Sequence, residues 1–260
     1  MNYLEDYYNQ DREEGRLLSQ HGRVEYLTTQ KYIHAYLDGN KDAEILEIGA
    51  GTGRYSVALA KEGYSVAALE LVAHNLDVLR SKLDGTERIE VCQGNALDLS
   101  RFEDDRFDLT LVLGPMYHLY TKADKIRALS EAVRVTKPGG VLMVAYCMNE
   151  ATIIQYVFAK DNLRTVLDKD LLTPDWLGRS DPEEIFELIR TEGIDELNAA
   201  VGVRRLKLVA TDGATNYLRD LIDGMDEAAF AKWMEYHLAT CERQDLIGAS
   251  NHTLDILRKE

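Results

Sequence analysis

Basic side chains, prolines and cysteines are all scarce in this chain of 260 residues: 30 Lys and Arg stand against 45 Asp and Glu, with 4 prolines and 3 cysteines. A formal charge of −15 repels phosphate backbones and anionic lipid, so nucleic acid and membrane surfaces are not expected as partners and a small molecule is. Cys92, Cys147 and Cys241 are widely spaced, with no Cys-x-x-Cys and no histidine at metal spacing. That pattern fits buried, reduced thiols in a cytoplasmic protein and no metal site. No stretch reaches the ~18 consecutive apolar residues of a membrane span. The opening MNYLEDYYNQDREE is polar and acidic, unlike a signal peptide. Linkers, low-complexity tracts and internal repeats are lacking too. The expected organisation is a helical arm over 1–40 and one domain over 41–260, with a helical cap inserted at about 150–200.

What is present is an alternation of strand and helix. Apolar runs at 44–48, 64–69, 88–92, 107–113 and 141–147, several rich in Val, Ile and Leu, are expected as five parallel strands covered on both faces. Between them, Leu76, Leu79 and Leu83, and then Ile126, Leu129 and Val133, recur at helical spacing, the second series stopped by Lys137-Pro138-Gly139-Gly140. Such repetition implies right-handed crossovers and a doubly wound α/β sheet. A helix is expected over about 16–37. In the cap, Asp181-Pro182-Glu183-Glu184 has the form of a helix start, with Asp181 as the cap. Two more strands are expected at 205–209 and 252–257, separated by a helix with the apolar face Phe230, Trp233, Met234, His237, Leu238 and Cys241, which makes His237 a core histidine.

The segment EILEIGAGTGRYS, residues 44–56, breaks a strand into a glycine loop and then a helix. In an open α/β sheet that loop lies at the carboxyl ends of the strands, where ligands bind. A dinucleotide fold wants Gly-x-Gly-x-x-Gly over a pyrophosphate. Here the spacing is Gly49-x-Gly51-x-Gly53, Arg54 takes the place of the third glycine, and Glu47 precedes the loop. A carboxylate has no purpose beside a pyrophosphate and suits a cationic amine.

Glu47-Ile48-Gly49-Ala50-Gly51-Thr52-Gly53 resembles the first motif of class I S-adenosylmethionine-dependent methyltransferases. Four later stretches extend the resemblance. Tyr64 to Glu70 resembles the second strand, whose terminal acid takes the ribose hydroxyls. Gly94-Asn95-Ala96-Leu97-Asp98 resembles the motif that reads the adenine, with Asn95 in place of the commoner Asp and still offering an acceptor oxygen. Gly114-Pro115-Met116-Tyr117-His118-Leu119 is similar to the loop after the fourth strand in small-molecule members, and 134–140 to the family's Lys-Pro-Gly-Gly turn.

The resemblance implies a Rossmann-like sheet of seven strands, mostly parallel with the last antiparallel, flanked by the arm and cap. It also implies S-adenosylmethionine as cofactor and, as its contacts, Glu47, Gly49, Ala50, Gly51, Gly53, Tyr55, Glu70, Leu71, Asn95, Ala96 and Leu113. The implied reaction is in-line displacement of a methyl group by an O or N nucleophile of a small molecule, which chiefly demands placement. Tyr117 and His118 are the catalytic candidates. His118 is either a general base, since an unperturbed imidazole titrates near pH 6.5, or a group that orients its loop. Tyr3, Tyr7 and Tyr8 either form an aromatic lid or simply pack, and Arg16 and Arg23 are expected to be solvated or paired. Asp98 and Asp108 are expected to shape turns. Two other readings stay open: a cofactor-binding protein without turnover, and a nicotinamide-dependent oxidoreductase, which Glu47 and Arg54 disfavour.

Overall fold

The computed structural model describes residues 3–9, 15 and 17–260, so Arg16 lies outside the described residues. The elements follow in chain order: α1 (Tyr3–Tyr8), α2 (Gln20–Leu37), β1 (Glu44–Ile48), α3 (Arg54–Lys61), β2 (Ser65–Glu70), α4 (Ala73–Ser81), β3 (Ile89–Gln93), β4 (Phe107–Val112), α5 (Lys122–Val135) and β5 (Thr136–Met148). After β5 come α6 (Asn149–Thr152), a π-helical turn (Ile153–Phe158), α7 (Leu163–Asp168), β6 (Leu188–Ile189), α8 (Thr191–Val201), β7 (Arg204–Ala210), α9 (Arg219–Asp223), α10 (Glu227–Thr240) and β8 (His252–Arg258).

The main sheet runs β3-β2-β1-β4-β5-β8-β7, and the two-residue β6 adds an eighth strand beside the end of β5. The first five strands in this order pair in parallel, while β8 is antiparallel to both its neighbours. The central strand β1 explains why: Ile45, Leu46 and Ile48 are each 1% exposed or less, buried on alternate faces in two separate apolar clusters. Full burial of each such side chain is worth roughly 1.5–3 kcal/mol, and only a strand covered by helices on both sides provides it.

Local signals set the ends of the helices. The Ser19 side chain accepts from Gly22 N at the start of α2, Thr121 from Asp124 N at α5, and Asp226 from Ala229 N at α10. Asp108 accepts from Glu44 N at 2.9 Å and from Lys137 Nζ at 2.8 Å, tying the starts of β1, β4 and β5 together. His237 is 3% exposed on α10, as its place on the apolar face requires.

Several expectations need correction. The helical arm proves to have a second helix, α1, ahead of α2. Lys137-Pro138-Gly139-Gly140 is the irregular first part of β5, where the register with β4 shifts. The cap is mostly short pieces and turns. Within it, Asp181 Oδ1 does accept from Glu183 N and Glu184 N, but no helix follows, because Ile185 takes φ +69° and turns the chain away.

Candidate active site

The carboxyl ends of the parallel strands β1, β2, β3, β4 and β5 lie on one rim, together with the start of the antiparallel β8. The turn after β1 depends on its glycines, with φ of +78° at Gly49, +54° at Gly51 and +83° at Gly53. At Gly49 a Cβ would also lie 2.7 Å from Pro115 Cδ, so this glycine lets the loop after β4 close on the loop after β1.

These loops enclose a cavity of about 210 Å³ whose walls include Gly49, Gly51, Glu70, Leu71, Asn95, Ala96, Leu113, Tyr117 and His118, residues named from sequence. Glu47, Ala50, Gly53 and Tyr55 do not line it. Glu47 is 2% exposed, its carboxyl receives the Ser56 hydroxyl of α3, and burial holds its pKa up at about 8. Tyr55 is buried against Tyr26, with ring centroids 5.2 Å apart. Leu4 and Tyr8 of α1, and Val72 and Asn75 at the start of α4, also line the cavity and were not named as contacts from sequence. A polar residue one turn beyond the acid of β2 was the available signal for Asn75. None pointed to Leu4.

Glu70 is the most constrained acid on the wall. Its Oε2 accepts from Gly51 N at 2.8 Å and its Oε1 from Val72 N at 2.8 Å and Asn75 Nδ2 at 3.4 Å. Burial raises its pKa, and these donors oppose the rise. No cation pairs with Glu47 or Glu70 among the described residues. Two buried acids without counter-charge, one on the cavity wall with an acceptor site left on Oε2, fit a ligand that brings a hydroxyl donor and an ammonium group. Asn95 Oδ1 accepts from Leu97 N at 3.0 Å, which leaves one lone pair and the amide hydrogens for a ligand.

On the opposite wall, His118 Nδ1 lies 3.0 Å from the Ile185 carbonyl and Nε2 lies 2.8 Å from the Tyr8 hydroxyl. A carbonyl only accepts, so Nδ1 carries the proton and Nε2 receives the Tyr8 hydroxyl. Burial pulls the imidazole pKa down to about 4. Tyr117 donates to Leu113 O at 2.9 Å. Phe186 of the cap packs on His118, Tyr117 and Tyr7, with ring centroids 5.4, 6.0 and 5.6 Å away. Tyr3 donates to Glu183 at 2.9 Å. Of the three tyrosines of α1, Tyr8 therefore lines the cavity, while Tyr3 and Tyr7 join the helix to the cap.

One trio of potential metal-ligating atoms lies on the same rim: Glu25, Asp212 and His252, all within 4.8 Å of one another. They already satisfy each other, with His252 Nδ1 at 2.8 Å from Asp212 and 3.5 Å from Glu25.

Residues 45–140 match a family profile described as a methyltransferase domain. A demethylmenaquinone methyltransferase from Clavibacter sepedonicus is 37% identical over 38% of this chain and 39% of its own length. "Probable tRNA methyltransferase 9B" from Homo sapiens is 28% identical over 63% of this chain and 35% of its own. The chain thus spans under half the length of either relative. Among solved structures, a Thermotoga maritima methyltransferase described as a possible histamine N-methyltransferase superposes with TM-score 0.61 at 18% identity, covering 99% of this chain and 100% of that one. Such low identity speaks for the fold alone, in agreement with the sheet order and the glycine turn. Residues 45–140 are thus a methyltransferase domain on the fold of class I S-adenosylmethionine-dependent methyltransferases, and S-adenosylmethionine is the cofactor that this domain and fold imply.

Proposed function

We propose that the chain is an enzyme that moves a methyl group from S-adenosylmethionine to an O or N nucleophile of a small molecule, with residues 1–40 as an arm on a single domain. The observation that carries this reading is Glu70, a buried acid without counter-charge that three donors aim along the cavity wall. Bound S-adenosylmethionine supplies an electrophilic methyl on a sulfonium. Glu70 would hold the ribose hydroxyls, Gly49 and Gly51 would let the backbone pass close to the methionyl part, and Asn95, with Leu71 and Ala96, would surround the adenine.

Glu47, Ala50, Gly53 and Tyr55 would act from behind the wall: Glu47 through water toward the ammonium group, the others by fixing the turn. Tyr117 and His118 would shape the acceptor side of the cavity. With both imidazole nitrogens engaged, His118 is better suited to positioning the loop than to carrying protons. Placement is the principal demand of such a transfer, worth on the order of 7–11 kcal/mol when the reacting atoms are held in line. The negative charge of −15 favours a small acceptor over a nucleic acid. No helix among the described residues is long and apolar enough to cross a membrane, and a cytoplasmic site of action fits three buried free thiols.

The test pairs binding with turnover. A ligand at about 100 times its Kd stabilises the fold by roughly 2.7 kcal/mol, so S-adenosylmethionine and S-adenosylhomocysteine should raise the melting temperature while NAD should not. Formation of S-adenosylhomocysteine over a panel of hydroxyl and amine acceptors separates an enzyme from a silent binder. Glu70→Ala should weaken cofactor binding by about 1.5–3 kcal/mol in calorimetry. A melting shift with NAD alone would overturn the reading.

A further inference from the structure

A second cavity, of about 240 Å³, lies inside the cap. It is built onto the functional rim: the π-helical turn that follows β5 and α6 forms one wall, and Leu188 of β6, hydrogen-bonded beside the end of β5, forms another. Its lining is chiefly apolar, with Ile153, Val157, Val166, Leu171 and Leu172 around Leu188. Three of these, Ile153, Val157 and Val166, are a cluster of their own, separate from the cores under the sheet.

The charged groups on the wall are already neutralised. Arg179 pairs with Asp170, and Glu184 with Lys169 at 3.0 Å. Ser180 and Tyr156, which also line the wall, each carry a neutral hydroxyl. Phe186 also lines this cavity, and the same ring packs on Tyr117 and His118 of the cofactor cavity. Phe186 on one side and Tyr117 and His118 on the other therefore form the partition between the two spaces. Phe186 is held there by a strained connection, since Ile185 at φ +69° offers its carbonyl to both His118 Nδ1 and the Tyr120 hydroxyl, and Glu187 N donates to Tyr117 O. Strain of this kind, fixed by hydrogen bonds from the cofactor side, is characteristic of binding sites.

We propose that the cap cavity is the acceptor subsite and takes the apolar, ring-bearing body of a neutral small molecule whose nucleophile reaches past Phe186 to the cofactor cavity. This rests on the methyl-transfer reading above. A charged acceptor body is disfavoured because the wall offers it no unpaired counter-charge, and the volume, below the about 300–1,000 Å³ of drug-sized pockets, sets a compact molecule.

The probe is 2-naphthol, a compact neutral ring system with one hydroxyl, titrated calorimetrically beside S-adenosylhomocysteine. Wild-type protein should bind both. Val166→Trp, which fills the cavity, should weaken 2-naphthol by about tenfold or more, a loss of about 1.4 kcal/mol, and leave S-adenosylhomocysteine within about twofold.

Because a larger core residue can disturb folding, Leu171→Cys supplies the second arm. The native cysteines are all buried, so monobromobimane added to the folded variant should label Cys at this position selectively. Labelling should abolish 2-naphthol binding, and 2-naphthol should slow labelling. Absence of 2-naphthol binding by wild type, or binding that survives both the tryptophan and the bimane, would overturn the proposal. Failure of S-adenosylhomocysteine to bind wild type would instead remove the methyl-transfer reading on which it rests.

Discussion

His118 shows how a residue can hold the expected position with an unexpected chemistry. Its Nδ1 proton goes to Ile185 O and its Nε2 receives the Tyr8 hydroxyl, while burial lowers its pKa to about 4. A base that weak is poorly matched to proton removal at neutral pH. The depressed pKa also has a stability consequence: the contribution is complete above about 6.5, the unfolded value, and is lost as pH falls toward about 4. His118→Ala should therefore lower cofactor affinity, thermal stability and turnover together, since it removes the imidazole's hydrogen bonds with the Tyr8 hydroxyl and the Ile185 carbonyl, each worth about 0.5–1.5 kcal/mol. Loss of rate alone, by ~10²-fold with cofactor affinity intact, would restore the role of general base. The sequence could place His118 in its loop, because Gly114-Pro115 marks the end of β4. It could not show the imidazole's partners, which lie 110 and 67 positions away.

At the scale of the element, the turn between β1 and α3 is set by conformation and by packing at once. Gly53 has φ +83°, and a Cβ there would stand 2.6 Å from Leu79 Cγ and 2.9 Å from Val57 Cγ2, so the glycine lets α3 seat against α4. Gly53→Ala should destabilise the fold by about 1–3 kcal/mol, from left-handed strain and overpacking together. In urea this reads as a lower midpoint at unchanged slope. Because Gly53 does not line the cavity, cofactor affinity should fall less than it does for Glu70→Ala. An unchanged midpoint would mean that Leu79 and the turn yield freely. This turn and the strands around it were legible because strands buried on both faces leave continuous apolar runs, and a glycine at positive φ leaves a residue type that little else explains. The cap was not. Its pieces are stabilised by single contacts, such as Asn149 with the backbone of Trp176 and Gly178, and such contacts have no period. Asp181 carries a valid helix-start signal, yet the carbonyl of Ile185 is claimed by His118 and Tyr120, and a tertiary contact overrides the local preference.

At the scale of the molecule, the two ends of the chain are clamped at the functional rim by one buried ion cluster. Glu25 comes from α2, Asp212 follows β7, and His252 opens β8, directly opposite Cys147 of β5 and 6.5 Å from the ring of Tyr117. Asp212 is 1% exposed and also accepts from the Ser250 hydroxyl, Asn251 N and Asn216 Nδ2. Its pKa is lowered despite burial, with the His252 side-chain hydrogen bond and charge foremost among the lowering causes. That of His252 is raised well above the usual imidazole value by Glu25, Cys147 and Asp212 against the opposing effect of burial. The signs give a window. The His252 contribution is complete below about 6.5, the unfolded value, and disappears as pH rises through the raised folded value. The Asp212 contribution is complete above about 3.9 and disappears as pH falls through the lowered one. His252→Gln keeps a donor but removes the charge that faces the buried Asp212. Melting at pH 6 should then show a loss on the order of 1–3 kcal/mol, and the gap between wild type and variant should close as pH rises, because wild type gives up the same charge. A gap that stays constant from acid to alkaline pH would show that the imidazole is neutral throughout and holds the ends of the chain by hydrogen bonding alone.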